Sequence, residues 1–186
     1  MIRFFDITFS IIGIFLFSPI FFFLFIFGIF DTGSPVFRQK RMGKNKKVFF
    51  LIKFRSMKVN SPSVATHLSS ASSITFFGGF IRKTKLDELP QLFNVFFGDM
   101  SLVGPRPNLL NQIDLIKERD SRGVYSIRPG ITGLAQINKI DMSTPQLLAE
   151  TDARMIQSLN VSSYFKYIIF TIFGKGFGDR IKKENP

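Results

Sequence analysis

An uncharged apolar run near the N-terminus limits what this chain can fold into more than any other feature. Residues 7–30 are 24 positions without a charged side chain. As a straight helix they would be about 36 Å long, enough to cross a hydrocarbon layer of about 30 Å. A cleaved signal peptide fits poorly, because the run is too long and no small-residue cleavage site follows it. The first expectation is therefore a helix embedded in a membrane.

Two features favour a helix that turns back inside the membrane. Ser18-Pro19 lies at the centre of the run, and a proline there removes one backbone hydrogen bond and clashes with the preceding turn. Arg3 precedes the run and a basic segment, residues 38–47, follows it, so both flanks carry the positive charge typical of the cytoplasmic side. We predict a re-entrant helix-break-helix over residues 1–31, with a kinked transmembrane span as the alternative.

Positive charge is concentrated in one block of the chain. Residues 32–86 contain 12 Lys or Arg and no acid, and the net charge of the whole chain is +12. Such a block suits polyanions, namely anionic lipid headgroups, nucleotide phosphates or nucleic acid. Cysteine is absent, which excludes disulfides and thiolate sites. The lone histidine, His67, argues against a histidine-based triad or a zinc cluster.

The segment that follows the apolar run predicts a β-hairpin. Residues 47–55 are rich in aromatic and branched side chains, and residues 36–41 precede them across a glycine-containing turn. Lys53 and Arg55 alternate with apolar neighbours, so they are expected on one face of the strand, where two cations suit phosphate oxygens. Residues 60–73 are rich in Ser and Thr, and we interpret them as a mobile loop that could cover a site.

The rest of the chain predicts mostly helix. Residues 108–122 and 144–159 have helical character, and residues 161–173 suit an amphipathic helix in the membrane interface. The expected class is therefore α+β, mainly helical, with a re-entrant membrane helix, a short β-hairpin or sheet, and interfacial helices. The expected domains are the membrane segment 1–31, a cytoplasmic catalytic domain 32–160, and an interfacial helix and tail 161–186.

A pair of carboxylates ends the basic block. Asp87 and Glu88 follow three cations, at positions 82, 83 and 85, so both carboxyls are expected to be ionised at neutral pH. Such a pair could hold a divalent cation, and one of its oxygens could attack phosphorus or carbon. The simpler interpretation is that the two acids complement a helix dipole. Pro90 disfavours helical geometry at Leu89 and suits a first helical turn, which places the pair at a helix start or just before a kink.

A rigid arginine follows the acidic pair. Arg106 stands between Pro105 and Pro107, and the fixed backbone of the prolines holds the arginine on an extended segment. Such stiffness suits a bidentate phosphate clamp, because little entropy is lost on binding. A rigid turn with a surface arginine is the alternative.

Several motifs together resemble those of the bacterial sugar transferase family, in its small monotopic phosphoglycosyl transferase form. The matching segments are residues 53–57 (KFRSM), 86–92 (LDELPQL), 98–107 (GDMSLVGPRP) and 128–133 (RPGITG), besides the Ser18-Pro19 break. The resemblance covers nearly the whole chain, with the motifs in the family's order.

This resemblance implies a reaction and a location. A sugar-1-phosphate moves from a UDP-sugar to polyprenol (undecaprenyl) phosphate, with release of UMP, as the first membrane step of glycoconjugate assembly. The implied setting is the bacterial inner membrane, with the catalytic domain on the cytoplasmic face in contact with membrane lipids and without nucleic acid. It also implies Mg²⁺ and a covalent phosphosugar intermediate. The sugar itself is left open.

The resemblance also assigns site residues. Asp87 is the expected nucleophile and Glu88 its partner, and the two are the expected metal ligands. The substrate contacts that the resemblance implies are Lys53, Arg82 and Arg106. Arg55 is added because the strand pattern places it beside Lys53, and Arg128 is added as a phosphate contact with a structural role as the alternative. Three alternatives stay open: direct attack by polyprenol phosphate with the acidic pair serving only as metal ligand, a glycosyltransferase that releases UDP, and a non-enzyme that binds anionic lipid or nucleic acid.

Overall fold

The computed structural model describes residues 1–61 and 71–174, which form eight α-helices and four short strands within those ranges. The helices are α1 (Ile2–Leu16), α2 (Ser18–Thr32), α3 (Phe76–Lys83), α4 (Gln91–Phe97), α5 (Ile113–Ser121), α6 (Leu134–Ile137), α7 (Pro145–Gln157) and α8 (Val161–Ile172). The strands are β1 (Val36–Met42), β2 (Val48–Phe54), β3 (Ser101–Val103) and β4 (Gly130–Thr132). The prediction of a mainly helical α+β chain is confirmed. Most of the predicted loop 60–73, with His67, and nearly all of the C-terminal tail lie outside the described residues.

The apolar run forms two helices with a sharp bend between them. Helices α1 and α2 meet at 62°, and in the described part of the chain no single helix is long and apolar enough for a membrane span, although the bent pair passes that test together. Phe17 separates the two helices, and the Ser18 hydroxyl donates to the Phe15 carbonyl at 2.8 Å. Pro19 stands in the first turn of α2, where its missing N–H costs nothing. The predicted break is therefore confirmed.

Both ends of the bent pair contact the same folded body. At the N-terminal end, the Arg3 guanidinium donates to the carbonyl oxygens of Val95 (2.7 Å) and Phe96 (2.9 Å). These carbonyls lie in the last turn of α4, where a positive charge also interacts favourably with the helix dipole. At the other end, the Asp31 carboxylate accepts a 2.6 Å hydrogen bond from the Thr75 hydroxyl at the start of α3.

A second polar contact holds α1 from inside. Asp6 is 2% exposed, and one of its oxygens accepts 2.9 Å hydrogen bonds from the Ser101 hydroxyl, the Leu102 N–H and the Tyr164 hydroxyl. These donors come from β3 and α8, so a single carboxylate ties the first helix to two distant parts of the chain. A buried polar group satisfied in this way fixes the relative placement of its neighbours.

The predicted hairpin is present and leans on α4. Strands β1 and β2 pair antiparallel, with Phe37 opposite Lys53. The Asn94 side chain continues the sheet, since its amide donates to the Phe50 carbonyl (2.8 Å) and its oxygen accepts from the Ile52 N–H (3.0 Å). Below it, a small apolar core joins the strand to the helix and to the start of β3 through Phe49, Leu51, Val95 and Met100.

The C-terminal half is built on a parallel pair of strands. Strand β3 pairs with β4, and a Cβ on Gly130 would lie 2.0 Å from the Gly104 nitrogen, so the close backbone approach requires glycine. Helices were predicted correctly over α7 and α8. Residues 108–112 are not helical, and α5 begins only at Ile113, which corrects the predicted helix 108–122. The side chain of Asn108 bonds to the Leu109 carbonyl in this stretch, a local contact that competes with helix.

Candidate active site

The acidic pair lies in a short 3₁₀-helix that leads into α4. Lys85 precedes it with φ of +61°, a left-handed conformation that is uncommon for a residue other than glycine. Leu86–Glu88 forms the 3₁₀ turn, and Pro90 caps α4. The pair thus lies in a 3₁₀ turn ahead of α4, close to the helix start at which the sequence predicted it. The turn at Lys85 makes this segment change direction and packs it against β2 and α3.

Glu88 is fixed by two cations. The Arg106 guanidinium donates to both of its oxygens, at 2.5 Å and 3.4 Å, and Lys53 Nζ donates to the nearer one at 3.2 Å. Burial opposes ionisation of Glu88, but the charges of Arg106 and Lys53 outweigh it and hold the pKa of Glu88 well below its usual value. Glu88 is therefore ionised, and its lone pairs are already engaged.

Asp87 has the opposite environment. It is 7% exposed, and its Oδ1 has no hydrogen-bond partner among the described residues. Burial raises the pKa of Asp87 to about 6, while the charges of Lys53, Arg82 and Lys85 favour the ionised form. The expectation of ionisation at neutral pH still holds with a pKa of about 6, but the pKa moves up rather than down, because the cations do not offset burial. A desolvated, weakly bonded carboxylate is the more nucleophilic member of the pair.

The remaining predicted contacts divide into two groups. Lys53 and Arg106 touch Glu88 directly, and burial lowers the pKa of Lys53 even against the charge of Glu88. Arg82 lies near Asp87, since its charge lowers the pKa of that carboxyl, and its guanidinium lies 3.5 Å from the Ser56 hydroxyl. Lys53, Arg82 and Arg106 therefore all lie close to the acidic pair, Asp87 and Glu88.

Arg55 and Arg128 are held by contacts elsewhere. Arg55 Nε donates to the Ser34 carbonyl at 2.8 Å, and its guanidinium lies over the Phe37 ring. It follows the last residue of β2, so strand alternation no longer fixes its direction. Arg128 Nε donates to the Gly98 carbonyl at 2.8 Å, behind the end of α4. Among the contacts of the described residues, neither arginine reaches the acidic pair.

One further cation of the site was missed by sequence reasoning. Arg41 donates to the Pro107 carbonyl at 3.0 Å and to the Gln39 side chain at 2.5 Å. Burial lowers the pKa of Arg41 to about 9, and the charge of Arg106 adds to that effect. The signal was available, because the exposed Arg38 and Lys40 alternate along β1 and leave Arg41 on the inner face. The sequence analysis treated all these residues as one basic flank.

Comparison with known families matches almost the whole chain to one of them. The family model described as bacterial sugar transferase matches residues 1–176. The chain belongs to the bacterial sugar transferase family. The resemblance drawn from the motifs around Asp87 and Arg106 is thereby confirmed.

Individual relatives are similar to this chain over much of its length. The galactosyl transferase CpsE of Streptococcus agalactiae is 35% identical over 184 residues, 91% of this chain and 41% of the relative. The uncharacterized sugar transferase EpsL of Bacillus subtilis is 44% identical over 137 residues, 73% of this chain and 67% of the relative. The undecaprenyl-phosphate galactose phosphotransferase of Salmonella typhimurium is 39% identical over 163 residues, 76% of this chain and 34% of the relative. The chain thus spans well under half the length of two of these three proteins.

The acidic site could hold Mg²⁺ through one carboxylate. Within residues 1–61 and 71–174, no group of three or more His, Asp or Glu side chains could hold a metal ion. Asp87 offers a buried oxygen without a partner, whereas Glu88 is engaged by Arg106 and Lys53. Mg²⁺ commonly binds through one or two carboxylates together with water and substrate phosphates. The donor set therefore fits with Asp87 as ligand, and fits Glu88 only if it gives up an ion pair.

Proposed function

We propose that this chain transfers a sugar-1-phosphate from a UDP-sugar to undecaprenyl phosphate and releases UMP, as a Mg²⁺-dependent phosphoglycosyl transferase. Relatives at 37–41% identity carry names of that kind, among them UDP-glucose:undecaprenyl-phosphate glucose-1-phosphate transferase of Escherichia coli and of Xanthomonas campestris. The observation that carries the proposal is the asymmetry of the acidic pair. Glu88 is locked by two cations, while Asp87 is buried next to it with an unbonded oxygen.

Because their environments differ, we give Asp87 and Glu88 different roles in the proposed reaction. Asp87 Oδ1 attacks the β-phosphorus of the UDP-sugar and forms an acyl phosphate, and the bond from that phosphorus to the bridging oxygen breaks. UMP leaves with the bridging oxygen. An oxygen of undecaprenyl phosphate then attacks the same phosphorus, which frees Asp87 and gives the diphosphate-linked sugar. Two displacements at one carboxylate make each step an ordinary phosphoryl transfer.

The basic side chains supply the electrostatic part. A diphosphate brings negative charge that must be stabilised as the bond breaks. Arg106 presents a planar guanidinium on a proline-fixed backbone and is 35% exposed at its side chain, so it can reach substrate from its place on Glu88. Lys53 contacts Glu88, and Arg82 lies near Asp87. A bound Mg²⁺ would add charge neutralisation at the diphosphate, with Asp87 as its protein ligand.

The apolar helices explain how a lipid substrate reaches the site. We propose that α1 and α2 form a re-entrant pair on the cytoplasmic face of the inner membrane. Support comes from both ends of the pair contacting one folded body, through Arg3 and Asp31, while the bend exposes apolar rings such as Phe15, 83% exposed. Phe76 at the start of α3 is 99% exposed, which suits burial in lipid beside the site. Exposed apolar surface of this extent is typical of a region that contacts a membrane or a partner protein.

Nucleotide release tests the proposed reaction. The purified protein is incubated with undecaprenyl phosphate, Mg²⁺ and a panel of UDP-glucose, UDP-galactose and UDP-N-acetylgalactosamine. We expect UMP from at least one donor, dependent on the lipid phosphate and lost in Asp87→Asn. The matched control is Asp114→Asn, an exposed acid in the first turn of α5. Release of UDP, or full activity of Asp87→Asn, contradicts the proposal.

A further inference from the structure

The backbone that carries Arg106 is tied down at four consecutive residues. Their carbonyl oxygens accept hydrogen bonds of 2.9–3.0 Å from groups in three elements, β1, α5 and β4: Pro105 from the Gly130 N–H, Arg106 from Arg119 Nη1, Pro107 from Arg41 Nη1, and Asn108 from the Met42 N–H. Two of the four residues are prolines and have no N–H to satisfy. Because all four carbonyls are bonded, the direction in which the Arg106 side chain leaves the backbone is constrained.

Arg119 is the donor that reaches Arg106 itself. It is 1% exposed and lies in α5. Its Nη1 donates to the Arg106 carbonyl at 2.9 Å and to the Asn108 side-chain oxygen at 3.0 Å. Its Nε and Nη2 donate to one oxygen of Asp152, on α7, at 3.0 Å and 2.7 Å. Asp152 thus sets the plane of the Arg119 guanidinium, and that plane sets where Arg119 meets the carbonyl of Arg106.

Stability alone is a poor reason for this arrangement. A buried ion pair contributes little net stability, because desolvation of the two charges offsets their attraction, and apolar residues of similar volume often serve as well. What apolar residues cannot do is donate in a fixed fork to two acceptors while a carboxylate holds the third side. Arg119 makes that set of contacts on the backbone of Arg106, the residue whose guanidinium binds Glu88.

We propose that Arg119, oriented by Asp152, is a positioning residue that sets Arg106 for its work at Glu88 and the substrate phosphates. This inference rests on the proposed transferase function. A small rotation of the Arg106 backbone moves its guanidinium at the far end of a long side chain, and a misplacement of about 1 Å in an active site costs on the order of 100-fold in rate. Loss of a contact that orients a metal ligand typically lowers activity about 10–100-fold, and we expect a loss of similar size here.

Arg119→Lys tests the proposal with charge retained. Lysine can still pair with Asp152, but its single ammonium cannot hold Asp152, the Arg106 carbonyl and Asn108 together. We expect kcat for UMP release to fall about 10–100-fold with the folded structure kept. The matched control is Arg122→Lys, at the residue that caps the C-terminus of the same helix, where Arg122 binds Glu150 of α7 at 3.3 Å and no described contact joins it to Arg106. Its kcat should stay within about twofold of the wild type.

A double-mutant cycle separates positioning from general loosening of the fold. If Arg119 acts through Arg106, then Arg119→Lys in an Arg106→Lys background should cause less than about a twofold further loss. The same fractional loss in both backgrounds would overturn the proposal, as would an Arg119→Lys single variant with wild-type kcat. Should that variant fail to fold, Arg119→Lys with Asp152→Glu restores a buried pair of similar length. That double variant should fold and remain slow, and recovery of full rate would overturn the proposal.

The controls keep this inference apart from the reaction itself. Wild-type protein that releases no UMP from any donor contradicts the proposed function. Wild-type protein that releases UMP while Arg119→Lys matches it contradicts only the positioning role.

Discussion

The two neighbouring acids should respond to neutralisation with opposite changes in stability. Burial raises the pKa of Asp87 from 3.8 to about 6. The folded state therefore binds this proton more tightly than the unfolded state does. The stabilisation that comes from protonated Asp87 is full below pH 3.8 and is lost as the pH rises through 6. At pH 7.5, the ionised carboxylate costs about 3 kcal/mol, and at pH 5 about 1.5 kcal/mol.

Asp87→Asn removes that cost at neutral pH. The buried amide still lacks good hydrogen-bond partners, and this offsets about 1–2 kcal/mol of the gain in stability. The net gain is about 1–2 kcal/mol at pH 7.5, or a rise in Tm of about 3–6 °C for a chain of this size. At pH 5 the gain should nearly vanish. The variant should thus be inactive and more stable, as expected where an active site holds a desolvated nucleophile.

Glu88→Gln should instead lower the stability of the folded protein. It leaves the largely buried Lys53 and the partly exposed Arg106 facing each other without the carboxylate that both bind. Breaking a buried ion pair on one side costs about 3–5 kcal/mol. The chain has no tryptophan, so far-UV circular dichroism in detergent is the suitable thermal probe. Asp114→Asn, which is exposed, serves as the control and should change stability by less than about 0.5 kcal/mol. Equal destabilisation by both active-site variants, or a shift in Asp87→Asn that is the same at pH 5 and pH 7.5, would refute this reasoning.

Three further predictions follow from the site and from the bent helices. The rate kcat/KM for the UDP-sugar should fall about tenfold per pH unit below pH 6, because protonation removes the Asp87 nucleophile, and a flat profile between pH 5 and 7.5 would contradict that role. Lys53→Gln should lower kcat about 100-fold or more, since it removes a cation in contact with Glu88, whereas Arg55→Gln should lower kcat less than about threefold in the same assay of UMP release. Single cysteines introduced at residues 2 and 44, in a chain without native cysteine, should both resist a membrane-impermeant thiol reagent added to intact cells, and labelling at residue 2 alone would indicate a full span.

Local patterns in the sequence were enough for much of the fold. The break at Ser18-Pro19, the β-hairpin and the helix that begins near Pro145 are set by proline geometry and by strand alternation, which act within a few residues. Proline geometry at Pro90 also placed the acidic pair near the start of a helix, which is α4.

Contacts between distant segments could not be predicted in the same way. Arg3 was interpreted only as a topogenic charge, yet it binds the carbonyls that end α4 more than 90 residues away. Arg55 turns to Ser34 because it lies just past its strand. Arg119 gave no sequence signal at all, since its partners at positions 106 and 152 meet only in the folded chain.

The most direct test of the central claim is mass spectrometry of the protein after brief exposure to a reactive UDP-sugar with Mg²⁺ and without undecaprenyl phosphate. We predict a phosphosugar adduct on the peptide that contains Asp87, absent in Asp87→Asn, and discharged when the lipid phosphate is added. A wild-type enzyme that turns over fully while no adduct forms, or an adduct that maps to another residue, would contradict the assignment of Asp87 as nucleophile.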